Sequence, residues 1–326
     1  MKLLLAVDTV HTLNILLKEI SARSWPAGTQ ARVLSVVEDG EVSLETWRAE
    51  GYSVAAVRHE MRKRGQQITT AAINGLRAAG IEPEVTVMRG DPKFLIPFVA
   101  RKWPADLILI RAHNRTDFRN WLLGSVAKSV VEDASCSVEI VRSTDAVQPD
   151  IDGGMKILVA TDDSAASLAA ARHVAETNWP ANSEVKIVSV VDPIIYSLEE
   201  IGLSRAKRTE RAHRAIGKAT TVLKESSLKL SGEVIAGTTV RQIVERAKSW
   251  NADLIVVGTN QRRGLKRLLL GSTSTSVANN AHCSVRIIQP NTSPGEESLS
   301  RRARSSPRSA ATVYRLEDSR GWSKAA

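Results

Sequence analysis

The sequence predicts an α/β protein made of two copies of one doubly wound unit, each a parallel sheet with helices on both faces. Three observations predict it. Short unbroken apolar runs, such as KILVAT at 156–161 and DLIVVG at 253–258, alternate with longer stretches of helical period. Residue identities recur along the chain at fixed separations. The stretch between the two recurrences, STDAVQPDIDGG at 143–154, is polar, with a Pro and a Gly pair, which is linker composition.

The recurrence is quantitative. A separation of 147 residues relates Gly124 to Gly271, Cys136 to Cys283, Trp103 to Trp250, Asp106 to Asp253 and Gly90 to Gly237. Earlier in each copy the separation is 154, relating Asp8 to Asp162, Trp25 to Trp179, Pro26 to Pro180 and Val37 to Val191. The first copy therefore carries an insertion of 154 − 147 = 7 residues between Val37 and Gly90. The domains read as 1–143, a linker over 144–154, a second domain over 155–290, and a basic tail over 291–326 that is rich in Ser, Arg, Ala and Pro and is expected to be disordered.

Each element follows from its own residues. In the first copy the strands are KLLLAV, ARVLSVV, EVTVMRG, DLILIR and SVEIVR. In the second, KILVAT is a strand buried on both faces, SLAAARHVAETN has helical composition, and EVKIVSVV is the next strand. A long amphipathic helix over 204–227 places Ala212, Ile216, Ala219 and Leu223 on one side. GEVIAG at 232–237 is a strand, and VRQIVERAKSW is a helix with Val240, Ile243, Val244 and Ala247 on one face. DLIVVG, a helix through TSVANNA and a last strand SVRIIQ complete the unit. Crossovers are expected to be right-handed, and the terminal strands of the two copies are expected to pair. The Trp-Pro pairs at 25–26 and 179–180 are expected to pack and to end the first helix of each copy.

In open α/β sheets, ligands sit beyond the carboxyl ends of the strands. In the second copy those ends carry Thr161 and Asp162, then Val190 and Val191, then Val257 and Gly258. RLLLGSTSTSV follows, with Gly271 and Ser272 opening the last helix. Free N–H groups there suit a phosphate, glycine allows close approach, and the hydroxyls of Ser272, Thr273 and Ser274 either cap the helix or bond phosphate oxygens. NWLLGSVAKSV gives the first copy the same shape. The Asp162–Asp163 pair has two uses, Mg²⁺ beside a nucleotide or helix capping.

The stretch ADLIVVGTNQRRGLKRLLLGSTSTSVANNAHCSVRII resembles the C-terminal signature of the universal stress protein family, and ADLILIRAHNRTDFRNWLLGSVAKSVVEDASCSVEIV is similar. The strand ends AVDTVHT and ATDDSAAS fit as well. The resemblance covers residues 1 to 289. It implies two five-stranded parallel sheets of order 3-2-1-4-5, of the adenine nucleotide alpha-hydrolase-like kind, arranged as a pseudo-dimer through their last strands. In one branch of the family it implies ATP binding. By that resemblance Thr161, Asp162 and Val190 hold ribose and adenine, and Val257, Gly258, Gly271, Ser272, Thr273 and Ser274 hold phosphates. The branch spaces three glycines by two and then nine residues. Here Gln261 replaces the middle one, and the first copy has Arg111 and Asn114 at the first two places. A side chain at 261 weakens the site by about 1 kcal/mol if a left-handed backbone is needed. Arg111 either blocks its pocket or puts its guanidinium where phosphate would sit.

Composition narrows the rest. Two cysteines, in no CxxC or Cys/His metal spacing, exclude a disulfide framework and suggest small buried hydrophobes. The six histidines show no metal-ligand spacing, and no GxSxG or full Walker loop is present, so no catalytic residue is assigned. The start MKLLLAVDTVHT does not read as a signal peptide and no apolar run reaches membrane-spanning length, so a cytoplasmic protein is expected. The net charge is +10, and the tail sets seven cations against four acids. The charges are scattered and not interleaved with stacking aromatics, so nucleic-acid binding is not expected, and the tail is the only plausible site for it.

The expected function is a stress-response regulator with adenine nucleotide, with or without Mg²⁺, in the second copy and a degenerate first copy. Nucleotide would order the loop with Arg262, Arg263 and Lys266 and so alter a protein-partner surface. Further pairing into a homodimer is left open. The alternative is a nucleotide-free scaffold acting through protein contacts.

Overall fold

The computed structural model describes residues 1–38, 54–112, 123–142, 154–192, 204–259, 272–290, 313–316 and 322–325. The first half runs β1 (Lys2–Val7), α1 (Val10–Ser21), β2 (Gln30–Val37), α2 (Val54–Ala78), β3 (Glu82–Arg89), α3 (Pro92–Lys102), β4 (Leu107–Arg111), α4 (Ser125–Asp133) and β5 (Ser137–Val141). The second repeats it as β6 (Lys156–Ala160), α5 (Ala165–Glu176), β7 (Glu184–Val191), α6 (Arg205–Leu223), β8 (Lys229–Ala236), α7 (Thr239–Ser249), β9 (Leu254–Gly258), α8 (Ser272–Asn280) and β10 (Ser284–Ile288). Two short strands follow, β11 (Val313–Leu316) and β12 (Trp322–Ala325).

The strand order is β12-β11-β3-β2-β1-β4-β5-β10-β9-β6-β7-β8. Each half is thus a parallel five-stranded unit of order 3-2-1-4-5, as the sequence predicts. The halves are fused into one sheet by antiparallel pairing of β5 with β10, in the register Val285–Ile140, Arg286–Glu139 and Ile287–Val138. The same separation of 147 residues relates Val138 to Val285, Glu139 to Arg286 and Ile140 to Ile287. A pseudo-two-fold axis therefore passes between Glu139 and Arg286. An isolated bridge between Ser24 and Asn178, which are 154 residues apart, lies on the same relation.

Strand side chains alternate between the two faces, so the seam differs from face to face. On one face Val138, Ile140, Val285 and Ile287 join a single apolar core under α3, α4, α7 and α8 that runs through both halves. On the other face the cores under α1 and α2 and under α5 and α6 are separate. Between them lies an ionic cluster. Glu139 accepts from Arg23 Nη1 at 2.9 Å and Nη2 at 2.7 Å, and from Arg286 Nε at 2.6 Å. Arg23 also pairs with Glu19, and Arg286 Nη1 meets His173 Nε2 at 2.9 Å. The Trp179 ring lies against both guanidiniums, 5.5 Å from each Cζ. The side chains of Arg23, Glu139 and Arg286 are all fully buried.

The halves cross-cap each other near the ends of the seam. Arg142 N–H donates to Ser284 Oγ at 3.1 Å, and Gln289 N–H to Ser137 Oγ at 3.3 Å, again related by the repeat. The expectation for the Trp-Pro pairs has a physical basis: the Trp25 and Trp179 indoles donate to Ile20 O at 2.9 Å and Val174 O at 2.8 Å, satisfying last-turn carbonyls. Burial pushes the Cys136 and Cys283 thiols up to about 12, in keeping with inert packing groups.

Two differences from the sequence stand out. The strand read at 232–237 begins at Lys229, because an exposed sheet-edge strand such as β8 carries polar residues. The tail, expected to lack structure, contributes β11, antiparallel to β3, and β12 antiparallel to β11. No helix among the described residues is long and apolar enough to cross a membrane. The linker over 144–153 lies outside the described residues.

The seam dictates a pH dependence. Burial and the nearby Arg286 lower His173 from 6.5 to about 3. Burial alone would raise the Glu139 carboxyl, but Arg23 and Arg286 overcome it and hold it at about 2, from 4.5. Both groups bind protons more readily in the unfolded chain, so stability is lost as pH falls. His173 acts from 6.5 down to about 3, and Glu139 from 4.5 down to about 2. Urea midpoints between pH 7.5 and 4 should fall with a slope of up to about 1.4 kcal/mol per pH unit from His173. Glu19, raised from 4.5 by burial against the pull of Arg23, binds protons more readily in the folded chain and opposes this slope above pH 4.5, and His282 is lowered by burial, so His173→Gln should remove the largest acid-destabilising contribution there and flatten the slope. An unchanged slope would contradict the assignment.

Candidate functional site

In the second half the strand order reverses between β6 and β9, which are paired with Val159 level with Val256. Above that point the chain leaves β6 into α5 on one face and passes from β9 to α8 on the other. This crevice is where a doubly wound sheet takes a ligand. Thr161 and Asp162 stand at the end of β6, Val257 and Gly258 close β9, and Val190 lies near the end of the neighbouring β7. Ser272 opens α8, followed by exposed Thr273 and buried Ser274. Gly271, Gln261, Arg262, Arg263 and Lys266 lie outside the described residues, as do His113 and Asn114 of the first half.

The turn from β6 into α5 is a compact polar knot. Ser164 is the N-cap of α5, and its Oγ accepts from Ser167 N–H at 3.2 Å. Thr161 Oγ1 donates to Ser167 Oγ at 3.2 Å, and Ser167 Oγ donates to Ser164 O at 3.0 Å. Asp162 Oδ1 accepts from Ser164 N–H at 3.0 Å, while the residue stays exposed. Asp163 has φ +71°, a left-handed conformation that Asp tolerates, and its carboxylate pairs with Lys218 of α6 at 2.8 Å. Both carboxylates thus have structural work, and no group of three or more His, Cys, Asp or Glu able to hold a metal occurs among the described residues.

Gly258 has a structural use besides the one that the resemblance implies. A Cβ there would lie 2.1 Å from the Ala166 carbonyl oxygen and 2.7 Å from Ser167 N. The missing side chain lets the first turn of α5 press onto the end of β9, so that side of the glycine is filled by backbone and not open to phosphate. In the first half Arg111 holds the equivalent place, half-buried at the end of β4.

Four residues that sequence reasoning passed over lie at or near these strand ends. Ser164 and Ser167 carry the knot, and their S-x-x-S spacing at a strand end is a capping signal that was legible. Thr259 follows Gly258, is 1% exposed, and its Oγ1 has no hydrogen-bond partner among the described residues. Asp192, just past β7, accepts from Thr239 N–H at 2.8 Å and caps α7.

The first half lacks the knot. Shifted by 154 residues, Thr161, Ser164 and Ser167 become Val7, Val10 and Leu13. Val7 and Leu13 are core residues, and the turn into α1 is held instead by Thr9, whose Oγ1 accepts from Thr12 N–H at 3.1 Å and lies 3.2 Å from both Asp8 Oδ1 and Thr12 Oγ1. At the opposite end of the sheet a shallow cavity of about 370 Å³ is lined by Gly28, Thr29 and the ion-paired Arg77 and Glu82, remote from either strand-end crevice.

Comparison with known proteins agrees with this geometry. The sequence model described as the universal stress protein family matches residues 1–142 and 155–289. A universal stress protein of Methanocaldococcus jannaschii is 36% identical over 138 residues, covering 41% of this chain and 81% of that protein. One from Mycobacterium tuberculosis is 28% identical over 226 residues, covering 68% and 75%. A crystal structure of a universal stress protein from Archaeoglobus fulgidus has a TM-score of 0.62 at 21% identity, covering 89% of this chain and 96% of that one, and shares the fold.

The glycine assignment is testable. Gly258→Ala should destabilise the chain by about 1–3 kcal/mol, since backbone and not a flexible side chain must yield. Gly217→Ala, on the exposed face of α6 with nothing within 4 Å of the added carbon, should instead stabilise it by about 1 kcal/mol. Chemical denaturation of the two variants checks both signs.

Proposed function

The chain belongs to the universal stress protein family, and from that premise we propose that its second half binds an adenine nucleotide while its first half serves as a structural partner. The observation that carries the proposal is the asymmetry of the two strand-end turns. Thr161, Ser164 and Ser167 give the second half three hydroxyls where the first half presents Val7, Val10 and Leu13, while the acid at the strand end, Asp162 or Asp8, is common to both. The first half closes the same turn with only the Thr9 and Thr12 hydroxyls, so the three further ones exceed what the fold requires.

The residues fit such a ligand in distinct ways. Exposed Asp162 offers a carboxylate to ribose hydroxyls. Half-buried Val190 offers an apolar wall to the base. The first turn of α8, with Thr273 exposed, offers N–H groups and hydroxyls to phosphates. Thr259, next after Gly258, supplies a buried hydroxyl with no partner among the described residues. Any Mg²⁺ would come with the nucleotide, not on a protein-built site. The proposal is for binding and includes no hydrolytic step. Its consequence is regulatory: a ligand bridging β6 and α8 would change the chain between β9 and α8, and with it the surface offered to a protein partner.

One observation favours the alternative, a nucleotide-free scaffold. Thr161, Asp163, Ser164 and Ser167 already satisfy one another or Lys218, so the turn is complete without ligand.

Thermal unfolding with ATP and Mg²⁺ separates the two. At ligand about 100-fold above the dissociation constant, binding adds about 2.7 kcal/mol. That is a rise of several degrees. The rise should vanish in Gly271→Val and shrink in Thr161→Val, and persist in Gly124→Val of the first half. No rise at millimolar ATP would favour the scaffold.

A further inference from the structure

The seam cluster is built from positions that the duplication made equivalent and that no longer match. Glu139 and Arg286 are one position in the two halves, 147 residues apart, and face each other in register. Glu19 and His173 are one position, 154 apart, as are Arg23 and Thr177. In the native seam two arginines, Arg23 and Arg286, meet two carboxylates, Glu19 and Glu139, with His173 held neutral by burial and by Arg286.

The same edges paired like with like give a different result. Two first halves joined through β5 would bury two copies of Glu139, Glu19 and Arg23, four carboxylates against two arginines. Two second halves joined through β10 would bury two copies of Arg286 with no carboxylate from these positions. The strand geometry permits either, because the flanking Val138, Ile140, Val285 and Ile287 are all aliphatic and the register is symmetric. At the Glu139–Arg286 position charge distinguishes them, where the side chains are 0% exposed and water does not screen; nearer the seam end the buried Arg142 side chain, Gln289 in the other half, reaches the Ala278 and Cys283 carbonyls.

We infer that the Glu139–Arg286 position is a pairing code: the β5 edge accepts the β10 edge of a second half and rejects another β5, and the β10 edge likewise rejects itself. The partner this surface fits is the complementary half of the same chain. Two copies of the chain associating through like halves are excluded by the same charges, so any larger assembly uses another surface. The inference stands independently of nucleotide binding.

The test keeps every residue of the chain. A protease site placed in the linker, within 144–153, is cut after folding. The two fragments are then unfolded together in urea and returned to buffer, and native mass spectrometry counts the pairs. Unlike pairs should exceed either like pair on the order of 100-fold. A statistical mixture, or failure of unlike pairs to re-form, overturns the inference, and this arm requires no variant to fold. The same experiment on Glu139→Gln/Arg286→Gln, which keeps shape and removes the opposed charges, should raise the share of like pairs at least tenfold. An unchanged share, with that variant refolding into unlike pairs, overturns the assignment to these two residues.

Discussion

The pairing of β5 with β10 is the contact on which the rest of the molecule rests, because it turns two parallel five-stranded units into one sheet. Two of the four edges that the halves would otherwise expose disappear into it. Strand pleating then assigns the two faces opposite tasks. One face continues the aliphatic core without a break, through Val138, Ile140, Val285 and Ile287. The other sets a buried ion cluster between two separate cores. The apolar face supplies the area that drives association. The ionic face is costly to bury, and its return is selection of a partner more than net stability.

That division has a consequence for function. Once the seam makes each half the fixed partner of the other, only one of them needs to keep a working ligand end. The second half has a polar turn at β6, with an N-cap, an exposed carboxylate and interlocked hydroxyls. The first half has filled the same turn with Val7 and Leu13 and placed Arg111 where Gly258 admits α5. On the proposed function the duplicate is a binding half and a supporting half, and the two are joined by charges that differ at equivalent positions. Asymmetry at the seam and asymmetry at the strand ends are two expressions of the same divergence.

Much of the fold was legible because the repeat preserved separations as well as identities. The constant offsets predict two units, the family resemblance implies their strand order and their pairing through the last strands, and unbroken apolar runs such as KILVAT and DLIVVG mark the strands buried on both faces. The ion cluster was not legible. Glu139 in SVEIV and Arg286 in SVRII are visible as lone charges in apolar strands, but their shared partner Arg23 lies 116 residues before Glu139. Gly258 was legible as a required glycine, but its packing role was not, because its spatial neighbour, the Ala166 carbonyl, lies 92 residues away in sequence. The tail's two strands escaped because Ser, Arg and Pro dominate the segment, and short edge strands depend on the strand they join, here β3.

Amide hydrogen exchange on the full chain, with and without ATP, tests the whole account in one measurement. The account expects the amides of β5 and β10 to rank among the slowest in both conditions, with nucleotide adding protection at residues 161–167 and 272–274 and none at 7–13 or 125–128. Equal added protection in both halves, or a seam exchanging as fast as the exposed edge strand β8, would contradict it.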